Sequence, residues 1–137
     1  MPFDALLNMN YRLPKNERLH SKKLIKELFD KGSSFFLYPF KVISLDQPEA
    51  TVNQVLFSVS KRKHRKAVSR NLLKRRIREA YRLNKSLLQD GKSGKKVIAF
   101  VYVSSDIEDF PTIQKKIQKV LVKLTDGSKK NIKDNEE

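Results

Sequence analysis

Between Lys61 and Lys85 the chain reads KRKHRKAVSRNLLKRRIREAYRLNK, with twelve Lys or Arg (61, 62, 63, 65, 66, 70, 74, 75, 76, 78, 82 and 85) and one acid, Glu79. Cations at that density bind anions rather than break bonds. At about 100° per residue, Leu73, Ile77, Ala80 and Leu87 fall on one side of a helix, and Asn71, Lys74, Arg75, Arg78, Arg82 and Lys85 on the other. One helix therefore buries its back and turns its charge outward. A merely solvated face intersperses both signs, whereas this one stacks like charges along 70/74/78 and 75/78/82, each pair costing roughly a few tenths of a kcal/mol. Repulsion accepted in this way points to a bound polyanion. Arginine outnumbers lysine within the helix, and guanidinium forks suit bidentate contact with phosphate and stacking on bases.

The remaining candidates for chemistry are weak. His20 and His64 stand far apart and read as surface or RNA-contacting residues. The acid pairs Glu108/Asp109 and Glu136/Glu137 fall in a loop and a tail, whereas an autonomous metal nuclease needs several carboxylates converging in a pocket. Asp90-Gly-Lys-Ser-Gly94 lacks the spacing of a phosphate loop and reads as a turn. No catalytic residue and no protein metal ligand are assigned.

Over the whole chain, 137 residues carry 30 Lys and Arg against 15 Asp and Glu, a formal charge of +15. That field attracts polyanions, above all RNA or DNA, with an anionic membrane surface the weaker alternative. The absence of cysteine excludes disulfides, Cys-based metal sites and thiol chemistry. The longest apolar run, Val97 to Val103, is seven residues, far short of the roughly 20 that span a bilayer. The first dozen residues lack a basic start and an unbroken apolar stretch, so a cytoplasmic protein without a membrane partner is expected.

These side chains need a scaffold, and the length suits one domain. An irregular arm is expected over 1–14. Asn16 is the candidate N-cap of a first helix that ends before Gly32 and carries Leu24, Ile25, Leu28 and Phe29 as its apolar stripe. Ser34 to Leu45 is rich in β-branched and aromatic residues; Pro39 confines its first half to an edge or bend, leaving a regular strand at Phe40 to Leu45. A second strand, Gln54 to Ser60, is expected antiparallel to the first. The basic helix follows over Ala67 to Leu88. Lys96 to Val103 is apolar on both alternating faces and should be a central strand. A last helix over Thr112 to Leu124 buries Ile113, Ile117, Val120, Leu121 and Leu124, and a polar tail over 126–137 is expected to be disordered. The order predicts an α+β fold over 1–125: a small four-stranded sheet with about three helices, containing a split βαβ unit.

The run Phe57-Ser-Val-Ser-Lys61, followed by Lys66-Ala-Val-Ser-Arg70-Asn71-x-x-Lys74-Arg75-x-x-Arg78-Glu79-Ala80-Tyr81, resembles the signature of the protein subunit of bacterial ribonuclease P. The resemblance extends upstream through Arg12-Leu13-Pro14-Lys15 and Leu28-Phe29-Asp30-Lys31-Gly32, and downstream to the Val97–Val103 strand, covering about residues 11–124. It implies a protein that breaks no bond itself. A catalytic RNA with bound magnesium hydrolyses the phosphodiester joining the 5′ leader to mature tRNA, and the protein binds that RNA and the leader of precursor tRNA. No protein partner is implied, and Mg2+ is expected mainly through the RNA. The family's fold implies a left-handed strand-helix-strand crossover, against the right-handed rule.

Carried over, Arg70, Asn71, Lys74, Arg75 and Arg78 match the basic motif, with Lys61, Lys66 and Arg82 as flanking RNA-binding residues. Phe29 matches an apolar or aromatic position near the leader cleft, a placement that helix packing explains equally well. Lys41 and Ile43 are expected to face the same cleft by alternation from Phe40 and Val42. Three positions depart from the family pattern: Arg65 replaces a small turn residue, Leu72 a polar or basic one, and Ile25 an aromatic one. The alternative function, on charge and size alone, is a structural RNA-binding protein such as a ribosomal component or RNA chaperone.

Overall fold

The computed structural model describes residues 13–88 and 94–126. The expected arm and tail therefore lie outside the described residues except for Leu13, Pro14 and Asp126, the last of which ends a helix.

Ser21, not Asn16, starts the first helix. Residues Lys15–Glu17 form one 3-10 turn, after which Arg18 bridges Val55 in parallel and the Leu19 amide donates to the Val55 carbonyl at 2.8 Å. That extended stretch delays the helix until Ser21, whose hydroxyl accepts from the Leu24 amide at 3.2 Å. Helix α1 (Lys22–Lys31) stops at Gly32. A Cβ there would lie 2.4 Å from the Leu28 carbonyl oxygen and 2.9 Å from Ile43 Cγ2, so only glycine lets α1 turn straight into the sheet. Strand β1 (Ser33–Leu37) then returns as β2 (Phe40–Gln47) through a two-residue turn at Tyr38 and Pro39, joined by a cis bond.

Strand β3 (Gln54–Val59), helix α2 (Ala67–Asn84), a 3-10 turn at Lys85–Leu87, strand β4 (Lys95–Tyr102) and helix α3 (Phe110–Asp126) complete the chain. The sheet order is β1-β2-β4-β3, with β3 parallel to β4 and the other pairs antiparallel. The α+β architecture with four strands and three helices stands as the sequence predicts. Two details differ. β3 runs opposite to β2 but does not pair with it, because β4, apolar on both faces, takes the position between them. β3 and β4 are direct neighbours, so the strand-helix-strand unit is closed rather than split by a third strand.

The central position of β4 follows from its composition. Ile98, Phe100 and Tyr102 pack with Phe40, Val42, Val55 and Val59 beneath α2 and α3, while Val97 and Ala99 pack with Ile43, Leu19 and Leu28 of α1 on the opposite face. Helix α2 buries Leu73, Ile77, Ala80 and Tyr81, and α3 buries the five residues predicted for it. The expectation for Leu87 fails: the 3-10 turn at its end rotates the chain, so Leu88 is buried and Leu87 exposed. α3 begins at Phe110, because the Asp109 carboxylate accepts from the Thr112 amide at 3.0 Å and places Pro111 in the first turn, where its missing N–H is harmless.

Burial, aided by the negative charge of Glu17, pushes the Tyr81 phenol far above its ordinary value; burial raises Tyr102 as well. The folded state thus holds these protons more tightly than the unfolded chain. Their contribution is complete below the ordinary tyrosine value of 10.0 and is lost as pH rises beyond it. Thermal melts from pH 8 to 11.5 should show Tm falling above about pH 10, with Tyr81→Phe flattening the fall. An equal slope in that variant would contradict the assignment.

Candidate nucleic-acid interface

Three structural ties present the basic helix and the loop before it. The loop after β3 closes on itself where the His64 amide donates to the Ser60 carbonyl at 3.0 Å. It is then pinned to the segment after β4, with Lys63 Nζ donating to the Val103 carbonyl at 2.5 Å and His64 Nε2 lying 2.8 Å from the Ser104 carbonyl oxygen. His64 is 5% exposed against Tyr102, so it anchors the loop from inside and is not the surface residue the sequence suggested. Finally, Arg70 Nη1 donates to the carbonyls of His64 and Arg65 at 2.9 and 2.8 Å. Arg65 thus takes the place of a small turn residue with its carbonyl held and its side chain exposed.

The predicted cations divide by partner. Lys61, Lys66, Asn71, Arg75 and Arg78 are exposed and Lys74 is half-buried, forming a ridge along α2 and its entry. Arg82 is ion-paired with Glu79, and its guanidinium holds the Glu79 carboxyl below the usual range. Arg76 leaves the ridge altogether, donating to the Glu108 carbonyl at 2.5 Å and tying α2 to the loop before α3. Lys85 reaches Glu17 at 2.7 Å. What remains outward is concentrated toward the start of α2, whose first turn has no acidic residue and no side-chain cap, so its amides add to the attraction for an anion. Val68, 78% exposed, heads the same ridge; helical spacing to Asn71 and Arg75 was the signal for it.

On the α1 face of the sheet, one cross-strand row aligns Phe36, Lys41, Val101 and Ser58. Lys41 is exposed, as expected, and Phe36 is 61% exposed. Ile43 lies one row along and is 6% exposed, its side chain enclosed with Leu28 and Ala99. Alternation put Lys41 and Ile43 on the correct face, but α1 covers only the second of them, so Ile43 belongs to the core and not to an open cleft. Phe36 is the residue the sequence reading missed; strand pairing across Pro39 was needed to set it beside Lys41. Phe29 is 49% exposed at the end of α1, and Ile25 packs partly buried against the Leu28 cluster.

Residues 13–125 match the protein-family model described as Ribonuclease P. The chain belongs to the ribonuclease P protein family. It is 39% identical over 119 residues to a ribonuclease P protein component of Porphyromonas gingivalis, covering 83% of this chain and 87% of that one. A Chlorobium phaeobacteroides protein of the same name is 43% identical over 81 residues, 56% of each chain. Among solved structures, the RNase P protein of Thermotoga maritima superposes with a TM-score of 0.66 at 26% identity, covering 78% of this chain and 96% of that one. The Staphylococcus aureus RNase P protein gives 0.65 at 25%, covering 79% and 94%.

As a ribonuclease P component the protein is one subunit of an endoribonuclease, and its partner in that ribonucleoprotein is RNA. The ribosomal or chaperone alternative is not favoured. Among the described residues no three His, Cys, Asp or Glu side chains stand together to hold a metal ion. No described helix is long and apolar enough to cross a membrane.

Proposed function

We propose that the α2 ridge and the loop before it bind the catalytic RNA subunit of ribonuclease P, while the open row of Phe36 and Lys41 beside α1 takes the 5′ leader of precursor tRNA in the cytoplasm. The observation that carries this reading is the ridge itself: Asn71, Lys74, Arg75 and Arg78 share one face of α2 by helical spacing, with Lys61 and Lys66 exposed in the loop and at the cap before it, while the basic residues that would blur it, Arg76, Arg82 and Lys85, are tied to Glu108, Glu79 and Glu17. Arg70 positions the ridge by closing the loop. Phosphates meet guanidinium and ammonium groups along α2, and the exposed Phe36 ring offers a leader base a stacking surface worth about 1–3 kcal/mol. Lys41 beside it answers a leader phosphate. Magnesium held by the RNA would supply the metal-assisted hydrolysis, and the protein's part is to position the substrate.

The test is cleavage of a precursor tRNA at low magnesium, with a cognate ribonuclease P RNA alone, with the protein added, and with protein alone. Faster cleavage at the mature 5′ end only when RNA and protein are combined is the expected result. Cleavage by protein alone, or RNA binding without stimulation, would overturn the assignment.

A further inference from the structure

The structure assigns a second phosphate-binding site to an open pocket of about 590 Å³ lined by Lys15, Asn16, Arg18, His20, Ser21 and Gln54, away from the α2 ridge and the leader row, and we infer that it holds a backbone phosphate of an RNA strand. The identity of that strand as RNA rests on the function proposed above; the affinity for phosphate rests on the pocket.

The pocket is built from a short stretch with unusual charge. Residues 15–26 read KNERLHSKKLIK, with five Lys or Arg, one His and a single acid. That acid, Glu17, does not line the pocket and is engaged with Lys85 at 2.7 Å. Among the described residues neither Lys15 nor Arg18 is in an ion pair. Backbone geometry aims the rest. Arg18 is held on the free edge of β3 by its bridge to Val55, and Leu19 beside it is buried. In extended chain the residues flanking an inward side chain point outward together, so Arg18 and His20 project to the same side. Gln54 Nε2 donates to the Asn16 carbonyl at 3.0 Å and fixes the opposite wall. Ser21 closes the pocket as the N-cap of α1, whose first turn has no acidic residue, so the positive end of that helix adds to the side-chain cations.

Its location gives the pocket a use. The Glu17–Lys85 pair sets it beside the C-terminal end of α2, while the outward cations of the ridge gather toward the other end. At 1.5 Å per residue, Lys74, Arg75 and Arg78 lie 7 to 11 residues before Lys85, roughly 10–17 Å along the helix axis. An RNA held at both points is fixed in direction as well as position, which a single cationic ridge does not achieve.

Two measurements on the full-length chain test this. Titration with inorganic phosphate, followed by amide NMR, should move the Arg18, His20 and Ser21 signals, and Arg18→Gln should abolish the movement. Arg18 meets β3 through its backbone, so this variant keeps the bridge to Val55; Lys15→Gln is the second variant should Arg18→Gln lower Tm. Binding of a short unstructured RNA across salt concentrations should show the slope of log K against log salt reduced by about 0.7 in Arg18→Gln, in addition to the loss caused by substituting α2 cations. An unchanged slope with an unaltered circular dichroism spectrum overturns the inference, as does phosphate binding that leaves the RNA slope untouched. If the α2 substitutions also leave the slope unchanged, the RNA-binding reading itself fails; if they alone lower it, only the pocket does.

Discussion

Replacing Lys74, Arg75 and Arg78 together by glutamine should weaken RNA binding about 100-fold near 0.15 M salt. Each lost phosphate contact removes about 0.7–0.9 from the salt slope, so three lower it by about 2 to 3. The protein should stay folded. None of the three is in an ion pair or donates a hydrogen bond to the fold among the described residues, and substitutions away from structural ties usually change stability by no more than about 0.5 kcal/mol. Relief of repulsion between positions 74 and 78 favours the variant slightly. The measurement is RNA affinity from 50 to 300 mM salt beside a thermal melt; an unchanged slope would refute the ridge. The same experiment on Arg70→Gln reads differently, because that side chain holds the His64 and Arg65 carbonyls and its loss disturbs the loop as well as the charge.

The largest expected loss of stability comes from Phe100→Ala. Phe100 is fully buried in β4, stacked on Phe57 of β3 at 5.7 Å, edge-on to Phe40 of β2 at 6.3 Å and against Tyr81 of α2 at 5.8 Å. One ring therefore ties three strands to the basic helix. Truncating such a ring costs about 3–5 kcal/mol, a large share of the roughly 5–15 kcal/mol that holds a domain together. Urea unfolding should show the midpoint falling sharply or the variant already unfolded at 37 °C. Phe36→Ala is the contrast: the same chemistry removed from an exposed position should leave the urea midpoint almost unchanged. A comparable loss in both variants would show that the ring cluster is not the keystone described.

The strength of the sequence signal tracked how local its physical cause was. Helix α2 was legible because its apolar spacing, its outward charge and its position all agree within one helix. So was the burial of β4, since seven consecutive apolar residues have nowhere to go but a strand covered on both faces. The start of α1 was misplaced because Asn16 is a good cap by type, yet Arg18 and Leu19 were needed at the edge of β3, a contact separated by 37 positions in the chain. The direction of β3, opposite to β2, was legible, but its position was not, because β4, distant in sequence, inserts between the two.

Residue types and their periods were thus enough to set out an α+β fold and a helix with one apolar and one basic side, because charge density and amphipathic spacing act over a few residues; the family was legible only through the resemblance of the motif that helix carries. The tertiary structure decided which of those charges face outward. Arg76, Arg82 and Lys85 read like their neighbours in the sequence, but the Glu108 carbonyl, Glu79 and Glu17 hold them. Packing likewise drew His64 and Ile43 inside and left Phe36 exposed. Apart from the Arg82–Glu79 pair, which is local to α2, such outcomes depend on partners brought together by strand pairing and helix docking, and no local pattern carries them.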